Sequence, residues 1–190
     1  MRPGPIISTL WIVWFISWIL AAVWSRRTEK RLGLKGELAS RLLALAGGVA
    51  LLIPTRFSVD TLRLWSVTRA EAWACAALVA CGFAFAWWAR IHLGALWSAA
   101  VTKKADHHLV TTGPYALVRH PIYTGILLAI LATAAAVGTV WGLLGALLIV
   151  VALWLKARTE ESWLRQELDA DAYDAYRRRV PMLVPFLGRN

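Results

Sequence analysis

The chain has 190 residues, of which 59% are hydrophobic and 17% charged, and it carries a formal net charge of +10. Its apolar residues are gathered into blocks instead of spread at amphipathic spacing, which sets it apart from soluble globular domains and indicates an all-α, polytopic membrane protein. The charge does not imply nucleic acid as a partner, because the arginines and lysines cluster beside the apolar blocks, where cytoplasmic retention and anionic lipid account for them.

A spanning helix needs roughly 20 mostly apolar residues. The first block, from about Pro5 to Trp24, meets that length and carries Trp11, Trp14, Trp18 and Trp24, placed as an interfacial aromatic belt would place them. It ends in Trp24-Ser25-Arg26-Arg27 without a small-residue cleavage site, so a retained helix is expected, not a removed signal peptide. A basic loop with Arg26, Arg27, Lys30, Arg31 and Lys35 follows. The second block, about Leu38 to Pro54, includes Arg41 near one end, where a long side chain can snorkel to the headgroups.

After a polar loop from Thr55 to Arg69, a third block covers about Ala72 to Ala89 and closes with Trp87-Trp88 and Arg90. Cys75 and Cys81 lie inside it with no histidine or acid to complete a metal site, so they read as packing residues and no metal is expected. The apolar stretch from Tyr123 to Leu155 is about 33 residues, too long for one untilted crossing. Two helices joined by a tight turn at Gly138-Thr139 fit it, and a single long tilted helix is the alternative. The count is then five spans, with 1–90 forming an N-terminal three-helix part. The remaining 91–190 divide into a loop over 91–122, a helical hairpin over 123–155 and a C-terminal cytoplasmic helix over 156–190.

With the N-terminus outside and the C-terminus inside, most lysines and arginines fall on the cytoplasmic side. The tail from Ala157 to Arg179 is highly charged and places Trp163, Leu164, Leu168, Tyr173 and Tyr176 on one helix face, so it is expected to fold back along the membrane surface until Val180-Pro181.

The chemistry is concentrated between the third and fourth spans. A polar loop, a Gly113-Pro114 turn and a second turn at His120-Pro121 precede an apolar helix. The start of such a helix exposes backbone amides and a positive dipole end, a good place for a carboxylate.

Five short motifs occur here in order: His107-His108-Leu109-Val110, Gly113-Pro114-Tyr115, Arg119-His120-Pro121-Ile122-Tyr123-Thr124-Gly125, Glu160-Glu161, and Tyr173 to Tyr176 with Val180-Pro181. The set resembles the signature of the isoprenylcysteine carboxyl methyltransferases and related phospholipid N-methyltransferases. The resemblance covers about Leu93 to Phe186. Its leading Leu93-Gly94 and Trp97-Ser98 pairs are those of bacterial members, which implies a bacterial inner membrane.

The resemblance implies S-adenosylmethionine as cofactor, with S-adenosylhomocysteine as product, in a cytoplasmic pocket capped by the C-terminal segment. The backbone of His107, His108, Leu109 and Val110, with Tyr115, would contact the adenosine portion, His120, Pro121, Ile122 and Tyr123 would hold the amino-acid end, and Arg119 would belong to the same cofactor site. Glu160 or Glu161 would meet the ammonium or orient an arginine. The acceptor would be an amphiphilic or lipidated molecule reached from membrane lipid, and carboxyl O-methylation is the leading expectation. In the family an arginine usually stands four residues before the first glutamate; here that position is Lys156, which lacks the bidentate fork suited to a carboxylate. Either Arg158 serves the acceptor or the acceptor differs, a headgroup amine being the alternative. Glu160, Glu161, Arg158 and Lys156 are therefore the candidate catalytic residues. The rival from another class is a non-enzymatic transporter or assembly protein, against which stands the want of a mid-span ionisable residue.

Overall fold

Each apolar block becomes a helix because lipid offers no partner for backbone amides and only a helix satisfies them within the segment. The computed structural model describes residues 3–23, 28–31, 34–56, 62–94, 97, 102–104 and 109–186. Its helices are α1 (Pro3–Ala21), α2 (Leu34–Arg56), α3 (Arg69–Leu93), α4 (Pro121–Val137), α5 (Val140–Glu167) and α6 (Ala170–Arg179). Two short strands, β1 (Thr28–Arg31) and β2 (Thr102–Lys104), pair antiparallel between the helical parts, a ribbon not anticipated from the apolar pattern. By length and composition α3 and α5 are able to cross a membrane, and Pro5–Ala21 and Pro121–Val137 are shorter apolar helices.

The helix ends are set by their own residues. Thr68 and Glu71 form a reciprocal capping box at the start of α3, with the Thr68 amide donating to Glu71 at 2.7 Å. The long apolar stretch does break at the expected place. Gly138 takes a left-handed φ of 65° that ends α4, and the Thr139 hydroxyl accepts from the Gly142 amide at 3.1 Å to start α5. The polar segment before α3 grips this turn. The Leu64 amide donates to the Gly138 carbonyl at 2.8 Å and the Trp65 indole to Ala135 at 2.9 Å.

Packing rests on two seams. In the α3–α4 seam, a Cβ built on Gly82 would stand 2.5 Å from the Gly125 carbonyl oxygen, and one on Gly125 would strike Gly82 in return. In the α2–α5 seam the same relation holds between Gly47 and Gly145, at 2.7 and 2.6 Å. With no hydrophobic drive between helices in lipid, such close backbone approach is what small residues provide.

Trp11, Trp14 and Trp18 do not form a belt. Trp14 is buried and stacks on Phe83 of α3 and on Trp18, and the Trp11 indole donates to Thr133 of α4 at 3.0 Å. Their spacing puts the three on one helix face, which is here the packing face; Trp24 lies outside the described residues. The opposite face of α1 exposes Ile12, Ile16 and Ile19, and α5 exposes Leu143 and Leu147, surfaces suited to lipid and not to water.

The expected boundary near residue 156 is no break in the helix. α5 runs past Leu155 to Glu167, because Lys156 through Glu161 are mostly good helix formers with no breaker among them. The surface helix expected over 157–179 is instead the end of α5 and a separate α6, joined at Leu168 and capped by Asp169. Arg165 clamps this corner with a bidentate pair to Asp174 at 2.8–3.0 Å.

Gly47 and Gly48 test the seam side by side. A Cβ on Gly47 would lie 2.6 Å from Ile149, whereas one on Gly48 meets nothing within 4 Å. Gly47→Ala is expected to cost about 1–3 kcal/mol as overpacking and to lower the melting temperature in detergent. Gly48→Ala should hold or raise it, since alanine gains up to about 1 kcal/mol of helix propensity over glycine.

Candidate functional site

The site forms where the N-terminus of α4 meets the charged end of α5 beyond its apolar stretch. His120 is the N-cap residue of α4, with Pro121 at the first helical position. Its backbone, and that of Arg119, are held by the C-terminal segment. The Arg119 amide donates to Pro181 at 2.9 Å and the His120 amide to Met182 at 3.1 Å, while the Thr124 hydroxyl donates to Leu183 at 2.6 Å. The C-terminal segment thus forms a clasp over the first turn of α4.

Arg119 locks the clasp. The residue is 9% exposed, and its guanidinium donates from Nη1 to the Arg177 and Val180 carbonyls at 2.9 and 2.6 Å and from Nε to Glu161 at 2.6 Å. Those carbonyls are at the C-terminal end of α6, where unsatisfied oxygens and the negative dipole end favour a cation. The Tyr176 hydroxyl donates to the Tyr115 carbonyl at 2.6 Å, tying α6 to the turn over Gly113–Ala116. Burial pushes the Tyr115 and Tyr176 phenols well above their ordinary range, so Tyr176 stays a donor.

His120 lies between the two glutamates. Its Nδ1 stands 3.5 Å from Glu160 and its Nε2 3.4 Å from Glu161, and its ring stacks parallel on Tyr123 at 5.4 Å. The Tyr123 hydroxyl donates to Glu160 at 2.6 Å, and the Lys156 ammonium sits 5.6 Å over the Tyr123 ring. Burial opposes charge on His120, but the two carboxylates outweigh it and hold its pKa above the ordinary value. Burial likewise opposes charge on the glutamates. His120, with Tyr123 and Lys156 for Glu160 and Arg119 for Glu161, nevertheless holds both below the carboxylate range.

The contact of His120 Nε2 with Glu161 is a charge pair more than a hydrogen bond. Nε2 is buried and finds no partner of hydrogen-bond geometry, and neither does Arg177 Nε, 3.6 Å from Glu161. Both donors stand beside the Glu161 carboxylate without a hydrogen bond, so each has capacity left for a ligand acceptor.

Of the residues singled out by sequence, Arg119, His120, Tyr123, Lys156, Glu160 and Glu161 are brought together by these contacts. Pro121 and Ile122 are buried just below. Tyr115, Ile122 and Ala89 form an apolar cluster with Val110 and Trp97 against it, and Leu109 packs instead on Tyr173, Tyr176 and Val180. Arg158 is exposed and lies over the Trp154 ring at 5.3 Å. His107 and His108 lie outside the described residues.

Two contributors escaped the sequence reading. His92, at the end of α3, contacts the Thr112 hydroxyl at 2.9 Å and stacks on Tyr115, and its ring fills the space beside Gly113, whose φ is 58°. Buried Arg90 donates to Gly94 and to Ala21 of α1 and lies 4.5 Å over Trp97, so it joins the ends of α1 and α3. The basic pattern at the end of α3 signalled an anchor but not these partners.

The sequence profile of the phospholipid methyltransferase family matches residues 70–170. Over 92 residues the chain is 36% identical to the Protein-S-isoprenylcysteine O-methyltransferase of Schizosaccharomyces pombe, a match that takes in 46% of this chain and 37% of that protein. The chain thus spans well under half the length of that curated relative.

The triad of His120, Glu160 and Glu161 sets a pH dependence. A raised histidine pKa gives stability that is complete below the ordinary value of 6.5 and is lost as pH rises through the raised value. Lowered glutamate pKa values give stability that is complete above 4.5 and is lost as pH falls through the lowered values. Melting temperature against pH should therefore peak between these limits, and His120→Gln should flatten the alkaline limb. A limb of unchanged steepness in the variant would show that His120 is not the titrating group.

Proposed function

The chain belongs to the phospholipid methyltransferase family, and on that premise we propose that it is a membrane methyltransferase. It takes S-adenosylmethionine from the aqueous side and methylates an amphiphilic acceptor drawn from the lipid. The observation that carries this is the enclosed charge cluster under the first turn of α4, where His120 stands between Glu160 and Glu161 beneath the C-terminal clasp.

The residues present suit the cofactor. The amides at the start of α4, His120 Nε2 and Arg177 Nε are donors for its carboxylate, and Glu160 or Glu161 is a partner for its ammonium. Val110, Tyr115 and Ile122 offer an apolar wall for the adenosine. When bound, the cofactor supplies a methyl group already activated on a sulfonium, so the protein's task is alignment and the exclusion of water. This agrees with a histidine whose pKa the two flanking carboxylates raise, so that its ring is engaged with them and not left free as a general base.

In this reading α1 to α5 are five spans, with the N-terminus outside and the site on the cytoplasmic face, an arrangement supported by the basic residues flanking α1, α3 and α5. Carboxyl O-methylation is the leading acceptor reading, supported by the similarity to the Protein-S-isoprenylcysteine O-methyltransferase of Schizosaccharomyces pombe and by a cation, Lys156, at the Tyr123 edge of the cluster. Arg158, on the Trp154 side, is the less suitable cation. A headgroup amine is the second reading, favoured because a lysine lacks the bidentate fork that suits a carboxylate. Among the described side chains the charged ones stand near or beyond the ends of the apolar stretches, which speaks against a transporter.

Calorimetric titration with S-adenosylhomocysteine tests the reading. Loss of one charged hydrogen bond, about 1.5–3 kcal/mol, corresponds to roughly 10- to 100-fold weaker binding for Glu160→Gln, and Tyr123→Phe should weaken it less. Leu147→Ala, on the lipid-facing side, should bind as the wild type does. No saturable binding by the wild type would favour the transporter or assembly reading instead.

A further inference from the structure

α2 lies outside the segment matched by the family profile, yet it brings a carboxylate toward the site. Glu37 is 3% exposed, although it stands in the first turn of α2 at the end of the apolar block. Its side chain accepts from Arg41 at 2.6 and 3.0 Å, and Arg41 itself is half exposed, so the pair runs from the interior outward. A buried acid at the edge of a span, turned inward, is costly and calls for a functional reason.

The seam gives its position. Gly47 lies against Gly145, Leu148 and Ile149, and Leu51 against Gly145, so α2 and α5 run antiparallel. Glu37, Ser40, Gly47 and Leu51 recur at helical spacing and are buried, so one face of α2 meets α5 along its length. At about 1.5 Å rise per residue, Glu37 stands roughly 15 Å from Gly47 toward the site end. Lys156 stands about 10 to 17 Å from Ile149 and Gly145 in the same direction, on the row of α5 that continues Gly145, Ile149 and Ala152. The two side chains therefore reach the same level. Glu37 also lies within electrostatic reach of Tyr123, over whose ring Lys156 sits.

We propose that Glu37 is a positioning residue for the acceptor half of the site: it holds the Lys156 ammonium over the Tyr123 ring, from α2, while Glu160 faces it from α5. The proposal rests on the reading that Lys156 serves an anionic acceptor. An ammonium has three donors, so one remains to meet an acceptor carboxylate once two carboxylates hold the others. The first helices then do more than anchor the chain, because acceptor recognition depends on α2 while cofactor binding does not.

The test uses the full-length protein in detergent, with Glu37→Gln, Glu37→Asp, Lys156→Gln and the double variant Glu37→Gln/Lys156→Gln. The acceptor probe is N-acetyl-S-farnesylcysteine with radiolabelled S-adenosylmethionine. Glu37→Gln should raise the KM for the probe about tenfold (about 1.4 kcal/mol) and leave S-adenosylhomocysteine affinity within about twofold of wild type. The double variant should be no worse than Lys156→Gln, and Glu37→Asp should recover most of the loss. A wild-type KM in Glu37→Gln, or losses that multiply in the double variant, would overturn the proposal.

Melting temperatures of the same four proteins give a reading that needs no acceptor. The double variant should lose clearly less than the two single losses combined, and simple additivity would overturn the pairing. A wild type that binds S-adenosylhomocysteine but does not methylate the probe counts against the carboxyl reading alone, and the melting cycle still decides the role of Glu37. A wild type that does not bind S-adenosylhomocysteine counts against the cofactor reading.

Discussion

The Arg119 guanidinium is the contact on which the site depends. It caps the end of α6 through the Arg177 and Val180 carbonyls and at the same time bonds Glu161 of α5. A cation so far buried is tolerable only because three acceptors surround it. By joining α6 to α5 next to the first turn of α4, it fixes the C-terminal clasp, and the clasp in turn holds the His120 backbone where its ring falls between two glutamates. This polar cluster is thus assembled from α4, α5, α6 and the C-terminal segment, each supplying what another leaves unsatisfied.

The membrane-spanning part has a different logic. There the requirement is that helices approach closely without a hydrophobic drive between them, and paired glycines meet it at both seams. Because α2 and α5 pack backbone to backbone, side chains at their common end are brought within reach of one another. The same constraint that holds the helices together therefore delivers Glu37 to the neighbourhood of Lys156.

Much of this was legible in the sequence, and the exceptions have physical causes. The break at Gly138-Thr139 could be read because a left-handed glycine beside a capping threonine is a local signal. The gathering of Arg119, His120, Tyr123, Glu160 and Glu161 was legible through the ordered motifs. The continuation of α5 past Leu155 was not, since hydrophobicity stops there while helix propensity does not. The tryptophans of α1 were misread as a belt because the composition of a span does not say which face meets protein; their shared face, spaced 11, 14 and 18, was the available clue. Glu37, Arg90 and His92 take their meaning from partners on other helices, which no local pattern reveals.

The claim that cofactor binding and the C-terminal clasp are one structure can be tested directly by hydrogen–deuterium exchange of the detergent-solubilised protein with and without S-adenosylhomocysteine. The amides of Arg119 and His120, which bond the Pro181 and Met182 carbonyls, and those of α6 should gain protection together when the ligand binds. Protection confined to other helices, or exchange at these amides indifferent to a bound ligand, would contradict the account.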